Sequence, residues 1–272
     1  GENNMDDIDY YAEMVLEARD MSTQIPCLTS LSNSFSVKEA YSIAERIFRK
    51  RLKRGQKVVG RKIGFTNTTI WKEYNVNAPI WGPIYSTSVF QNLECFCLDG
   101  LLEPRIEPEI VFKLGKIPTI QMSEEEVFSC ISHYSCGFEI VHSIFKNWKF
   151  LAADTVAAFA LHECLIHGEF IRIKPNDRKA LLEKFKSFKV QLFCDGKLID
   201  KGSSLNILDG GPVKALCTLV QMLSESTSFL DFQVGEIIST GTLTNAFPIK
   251  PGEVWLAQSD RDFFDRFRII FS

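Results

Sequence analysis

The 272-residue sequence contains no run of about 18 apolar residues, so no segment reads as a membrane-spanning helix. No CxxC pair is present either. The eight cysteines are scattered at 27, 95, 97, 130, 136, 164, 194 and 217, mostly inside apolar runs such as VQLFC and KALCTLV. Zinc sites usually need such a pair or a comparable His/Cys cluster, so these thiols are expected to be buried and reduced. Histidine is scarce, at 4, and forms no HExxH pattern; GxSxG and phosphate-loop motifs are missing too. Positive charge is not in excess. The formal net charge of -3 leaves no global basic field for nucleic acid or an anionic membrane. The first residues, GENNMDDIDYY, are acidic and polar where a signal peptide is basic and then apolar, and a cytoplasmic protein is expected.

What is present is an ordinary globular composition, 45% hydrophobic and 24% charged. An amphipathic helix is expected over 7–21. Ser36 and Glu39 then make a capping box for a helix whose apolar positions Val37, Ala40, Tyr41, Ala44, Ile47 and Phe48 recur at helical spacing, with Gly55 as its stop. The basic run from Arg46 to Arg54 falls in the last turns, where cations favour the helix dipole, and reads as a solvated face. Beyond it the texture changes. KVVGRKIGF, the end of APIWGPIYSTSVF and CGFEIVHSIF read as strands, and NTTIWKEYNV as a short helix. A second capping box, Ser123 with Glu126, opens a helix through about His133, and DTVAAFALHECLIHG reads as a helix ending at Gly168. FKVQLFCDGKLID carries a DG hairpin turn, Asp209 and Pro212 open one more helix, and STGTLTNAF, GEVWLAQ and RFRIIFS read as strands. This order predicts an α+β protein: a helical N-terminal segment, 1–56, followed by one domain, 57–272, rich in mixed or antiparallel strands.

EPRIEPEIVF, from Glu103 to Phe112, is the most unusual stretch. Side chains alternate along a strand, so Glu107 and Glu109 share one face while Ile106, Ile110 and Phe112 take the other. Paired carboxylates suit a hard divalent cation; a solvated strand face with Arg105 as partner is the plainer alternative. Glu139, inside CGFEIVHSIF, is a third carboxylate in an apolar run, either part of the same site or paired with Lys146 or Lys149. Lys62 lies between Gly60 and Gly64. It suits binding of a carboxylate substrate, or proton transfer if burial lowers its pKa; the alternative is a surface lysine. STGTLTNAFPIKPGE offers small residues and backbone amides, Gly241 and Thr242 among them, that suit an anion cradle or simply end a strand. His162 and His167 share a segment at spacing five and read as helix-surface or capping residues.

In this order, VGRKIGFTN, EPRIEPEIVF, GFEIVHSIFKNWKF, DTVAAF and TGTLTNAFPIKPGEVW resemble the 2-keto-4-pentenoate hydratase and 4-oxalocrotonate decarboxylase family of the fumarylacetoacetate hydrolase superfamily. The resemblance covers nearly the whole chain. It implies a mixed β-roll of the fumarylacetoacetate hydrolase C-terminal-domain type behind the helical segment. It implies Mg²⁺ or Mn²⁺ held by Glu107, Glu109 and Glu139, with Lys62 as the catalytic lysine in a mobile region that closes over a small 2-keto acid. The implied activity is a lyase: a hydratase of 2-hydroxy-dienoates or 2-keto-enoates working through a metal-stabilised enolate, as in aromatic-compound catabolism. A decarboxylase of a related 2-keto diacid and a catalytically silent binding protein are the alternatives. A homo-oligomer is expected, with no nucleic-acid or membrane partner. Two segments depart from the family's pattern. Ile80 stands in APIWG where the family reads QPDFG, and Ala158, Phe159 and Leu161 stand in VAAFAL where it reads VADNAS. A more apolar pocket follows, with Trp81 and Phe159 expected against the substrate.

Overall fold

The computed structural model describes residues 5–32, 35–260, 263–264 and 266–272. Helices α1 (Met5–Met21) and α3 (Val37–Lys53) form as expected, joined through the short α2 (Leu28–Leu31). Ser36 Oγ accepts the Glu39 backbone N–H at 3.2 Å, which caps α3. Ala40, Ile43, Ile47 and Arg51 fall on one buried stripe of that helix, at helical spacing. Arg51 is only 5% exposed, which corrects the reading of the basic run as wholly solvated. Its neighbours Lys50 and Arg54 do face outward, paired with Asp9, Glu13 and Asp20.

Strands β1 (Val58–Gly64) and β2 (Ile80–Tyr85) flank α4 (Trp71–Tyr74), and β3 (Val89–Gln91) and β4 (Cys95–Phe96) follow. Next come β5 (Arg105–Leu114), α5 (Glu124–Ser129), β6 (Ile131–Val141), α6 (Ala152–Ala157), β7 (His162–His167) and β8 (Ile171–Arg172). Helix α7 (Arg178–Lys186) leads into the hairpin β9 (Lys189–Cys194) and β10 (Lys197–Ser203). Helix α8 (Pro212–Met222) leads into β11 (Ile237–Ser239), β12 (Phe247–Pro248), β13 (Val254–Ser259) and β14 (Phe267–Phe271). Nine strands form one mixed sheet, in the order β2-β1-β11-β5-β6-β7-β3, with β12 beside β5 and β8 beside β6. Five form a second, β10-β9-β13-β14-β4. The architecture is α+β with mixed sheets. No helix among the described residues is long and apolar enough to cross a membrane.

Several local expectations change. The capping box at Ser123 and Glu126 closes in both directions at 3.2 Å, yet α5 stops at Ser129 because Ile131 already pairs with β5. In DTVAAFALHECLIHG only the first residues are helical. Phe159, Ala160 and Leu161 turn through left-handed φ of 62°, 52° and 63°, and the remainder is strand β7. Sheet pairing overrides the alanine-rich helix propensity there, since β7 is held by β6 on one side and β3 on the other. Of STGTLTNAF only Ser239, in β11, and Phe247, in β12, are strand. The rest is a loop pinned by Thr66 Oγ1, donating to Thr240 O at 2.8 Å, and by Asn67 Nδ2, donating to Thr242 O at 3.1 Å. Helix α8 starts behind Gly211, so Asp209 does not cap it, and α7 lies in a stretch expected to be strand-rich. Cys130 and Cys164 are buried, but Cys95 and Cys97 are exposed, contrary to the expectation for the whole set.

The helices and the first sheet share one core, in which aromatic rings dominate. Phe185 of α7 meets Phe112 at 5.3 Å, Tyr134 at 5.3 Å and Phe263 at 4.8 Å, ring centre to ring centre. Phe185→Ala should cost about 3–5 kcal/mol, the usual scale for emptying a buried phenylalanine site. Chemical denaturation would measure it; a loss below about 1 kcal/mol would show that this cluster does not anchor α7.

Candidate metal centre

Strands β5 and β6 pair antiparallel with Glu107 directly opposite Glu139. Alternation along β5 puts Glu109 on the same face as Glu107, and oxygens of the three glutamates lie within 4.8 Å of one another. Glu109 is fixed by two donors from the segment that ends β11: the Ser239 hydroxyl and, at 3.2 Å, the Gly241 N–H, both onto Oε2. Glu139 is fixed by His162 Nδ1 at 2.7 Å and Lys62 Nζ at 3.4 Å, both onto its Oε2. The second oxygens, Glu109 Oε1 and Glu139 Oε1, are buried with no hydrogen-bond partner. Buried carboxylate oxygens are rarely left so, and an all-oxygen donor set of this kind fits a hard divalent cation.

The alternatives weighed for these residues do not hold. Arg105 turns from Glu107 and donates to the Tyr74 hydroxyl at 2.8 Å, with its guanidinium over the Trp148 ring. Glu139 pairs with neither Lys146 nor Lys149 among the described ion pairs. Lys62 is not a surface residue: it is buried, and besides Glu139 it donates to Ala160 O at 2.7 Å. Strand β1 delivers it, set beside Ser239 in the parallel pairing with β11.

The electrostatics follow from this crowding. Burial raises the Glu107 carboxyl, the facing Glu139 raises it further, and its pKa stands at about 8. Glu109 is likewise pushed well up, first by burial and then by the two other carboxylates. For Glu139 burial acts upward, but Lys62 and His162 outweigh it and hold the group down at about 2. For Lys62 burial acts downward, yet the three glutamates more than offset it, so its pKa lies above that of an ordinary lysine. This reverses the expectation of a lysine lowered by burial; the ammonium is held charged.

Lys62, Glu107, Ile80, Leu161, Gly241 and Thr242 line one cleft, with about 430 Å³ of space open to solvent. Both segments that depart from the family pattern therefore reach it. Trp81 and Phe159 do not. Trp81 alternates to the opposite face of β2 from Ile80 and is 1% exposed, stacked on Tyr41 at 6.0 Å. Phe159 faces the same second cavity as Trp81. Two residues at the site escaped the sequence reading. Ser239 lay inside a segment recognised only as a cradle. His162 was hidden by the mistaken helix: on strand β7 it points straight at Glu139.

No protein-family profile matches the chain. The chain is 28% identical over 241 residues to a 4-oxalocrotonate decarboxylase of Pseudomonas sp, covering 89% of this chain and 90% of the relative. It is 28% identical over 245 residues to a 2-keto-4-pentenoate hydratase of Paraburkholderia xenovorans, covering 90% and 88%. Its fold matches that of the 4-oxalocrotonate decarboxylase from Pseudomonas putida G7, solved with magnesium and adipate. That match has a TM-score of 0.88 at 22% identity and covers 99% of this chain and 98% of the other. The α+β fold of mixed sheets is thus the one seen in that decarboxylase. Over about nine-tenths of its length the chain is thus similar to relatives named for a hydratase and for a decarboxylase.

A pH dependence follows for the cation-free protein. Glu107 keeps its proton to about 8 when folded but ionises near 4.5 when unfolded. Between those values the folded state binds more protons, so stability falls as pH rises. Glu139 works in the other window: its contribution is present above 4.5 and is lost as pH falls towards about 2. In EDTA, the denaturation midpoint should decline from about pH 5 to about pH 8, and Glu107→Gln should flatten part of that decline. An undiminished slope in the variant would place its origin elsewhere.

Proposed function

We propose that the protein is a divalent-metal-dependent lyase, a hydratase acting on a 2-hydroxy-dienoate or 2-keto-enoate. The observation that carries this reading is the pair of unpartnered buried oxygens, Glu109 Oε1 and Glu139 Oε1, within a cluster of three carboxylates. Glu107, Glu109 and Glu139 would hold Mg²⁺ or Mn²⁺, both of which favour oxygen donors. The bound cation supplies Lewis-acid stabilisation of the enolate of a 2-keto acid. We place the division of the chain at 56: residues 57–272 carry all of these groups, and helices α1, α2 and α3 precede them.

The chain's own residues do the rest. Ser239 and the Gly241 N–H hold Glu109 in place, and His162 and Lys62 hold Glu139. Lys62 is the charged donor of the cleft, positioned by Ala160 O, and serves either to bind a substrate oxygen or to deliver a proton to it. Gly241 and Thr242 line the cleft; the Gly241 N–H is taken by Glu109 and the Thr242 hydroxyl by Thr244 O, which leaves the Thr242 backbone N–H to meet a substrate carboxylate. Ile80 and Leu161 form an apolar part of the cleft wall. That wall favours one second reading, decarboxylation of a related 2-keto diacid, because decarboxylation passes through the same enolate with no water to activate. Support for the general activity comes from the relatives, named for both reactions.

The two readings separate on substrate. With Mg²⁺, loss of ultraviolet absorbance on 2-hydroxypenta-2,4-dienoate without CO₂ release marks the hydratase, and CO₂ release from 4-oxalocrotonate marks the decarboxylase. EDTA should abolish turnover. Glu107→Gln, Glu109→Gln and Glu139→Gln should each weaken Mn²⁺ binding, followed by the electron-spin signal of the free ion; wild-type binding in all three would sink the metal assignment. Lys62→Met should leave Mn²⁺ affinity within a few-fold of wild type and lower kcat/KM by about 10²-fold or more. An equal loss of thermal stability would instead make the lysine a structural group.

A further inference from the structure

The cavity that receives Trp81 and Phe159 is separate from the metal centre. It lies across β2, walled by Trp81, Tyr85 and Phe159 and roofed by Ile47 and Arg51 of α3. Arg51 is more than nine-tenths buried there. Its Nε donates to Gln56 Oε1 at 2.6 Å and its guanidinium lies 3.7 Å from the centre of the Tyr85 ring. Among the described residues no carboxylate pairs with it, and no hydrogen bond takes up its two terminal nitrogens. Arg19 of α1 brings a second guanidinium, and both lie 5.7 Å from the Phe159 ring. Arg19 Nε is also buried without a partner.

Neighbouring charges offset these two only in part. Arg54 is paired with Asp20 at 2.8 Å. Glu163 acts on both arginines but makes a direct ion pair with neither, and has His142 Nε2 at 3.1 Å. Burial and the adjoining Arg19 pull the Arg51 guanidinium down to about 10, the sign of positive charge held without adequate compensation. The Arg51 fork, desolvated and with its terminal N–H donors free above flat aromatic walls, matches a planar anion that accepts two hydrogen bonds at once.

We infer that this cavity is a binding site for a small carboxylate, held by the guanidinium group of Arg51, with the charge of Arg19 adding to the attraction from beside the cavity. The site does not depend on the metal assignment, because none of its residues touches the three glutamates. The carboxylate comes from one of two sources: a 2-keto acid of the proposed reaction, or an unrelated monocarboxylate.

The test is calorimetric titration of the EDTA-treated full chain with acetate, pyruvate and inorganic phosphate. Acetate or pyruvate should bind saturably, with Kd on the order of 1 mM for two charge-assisted contacts. Pyruvate binding several-fold tighter than acetate identifies the reaction's own 2-keto acids as the source; equal binding identifies carboxylates in general. Arg51→Met should weaken the binding by about tenfold or more, and Arg19→Gln by several-fold. Both variants should bind Mn²⁺ like wild type, which separates failure here from failure of the metal centre. Absence of saturable binding by acetate and pyruvate overturns the inference, as does phosphate binding more tightly than either. So does wild-type acetate affinity in Arg51→Met, or in Arg19→Gln should Arg51→Met not fold.

Discussion

Glu107 and Glu139 face each other across two hydrogen-bonded strands, and the register that sets them there also aligns ten residues of β5 with β6. Like charges directly opposite destabilise a strand pair, and Glu109 adds a third on the same face. Sliding the register by one residue would free the carboxylates but turn Ile106, Ile110 and Phe112 out of the core. The repulsion is therefore locked in by the packing. The chain answers it unevenly: Lys62 and His162 stabilise the charge on Glu139, while Glu107 and Glu109 are left to retain protons or to find a cation. A site that binds metal needs this asymmetry, because carboxylates fully neutralised by protein donors have nothing to offer an ion.

The same alternation that gathers the glutamates also divides the cations. Along β1, Lys62 turns towards the cleft and Arg61 away from it, to a buried pairing with Glu236 between Trp81 and Phe232. Along β2, Ile80 faces the cleft and Trp81 the second cavity. Adjacent residues thus serve two environments with no side chain in common. The Phe159–Leu161 turn borders both as well: Phe159 lies against the arginines, and the Ala160 carbonyl accepts from Lys62. Three successive residues at left-handed φ are costly for side chains of this kind, and they persist because β7, α6 and Lys62 fix the segment from three sides.

Much of this was legible in the sequence wherever a local pattern and its tertiary role agree. The capping box at Ser123, the Ser36 half of the first one, the DG hairpin and the paired glutamates rest on short-range geometry and take the expected form. The failures share a cause. ALHECLIH looks helical because alanine and leucine favour a helix, but its partners are strands more than twenty residues away in sequence, beyond the reach of any local pattern. With the wrong element, His162 lost its direction and its role as the closest neighbour of Glu139. Trp81 and Phe159 were drawn towards the substrate because they sit beside Ile80 and Leu161 in sequence. On a strand, adjacency means opposite faces, and in the 159–161 turn it gives no common direction at all. Arg51 was taken for one more solvated charge because its run is basic, although its spacing from Ile47, Ile43 and Ala40 marks the buried stripe.

The apolar replacements at the cleft also explain how Lys62 is held. Where the family pattern carries asparagine and serine side chains, this chain has Phe159 and Leu161, neither of which can accept a hydrogen bond. The backbone supplies an acceptor instead: the left-handed turn aims the Ala160 carbonyl at Nζ, 2.7 Å away. A carbonyl satisfies an ammonium without adding charge, so Lys62 retains its attraction to Glu139 while the wall beyond it stays apolar. In a cleft of low polarity that attraction is strong. The lysine is then aligned between a fixed carbonyl and a fixed carboxylate, with its third N–H left to face the cleft. The loss of polar side chains thus removes acid–base partners from one wall of the cleft, while the charged donor beside the carboxylates becomes more firmly positioned.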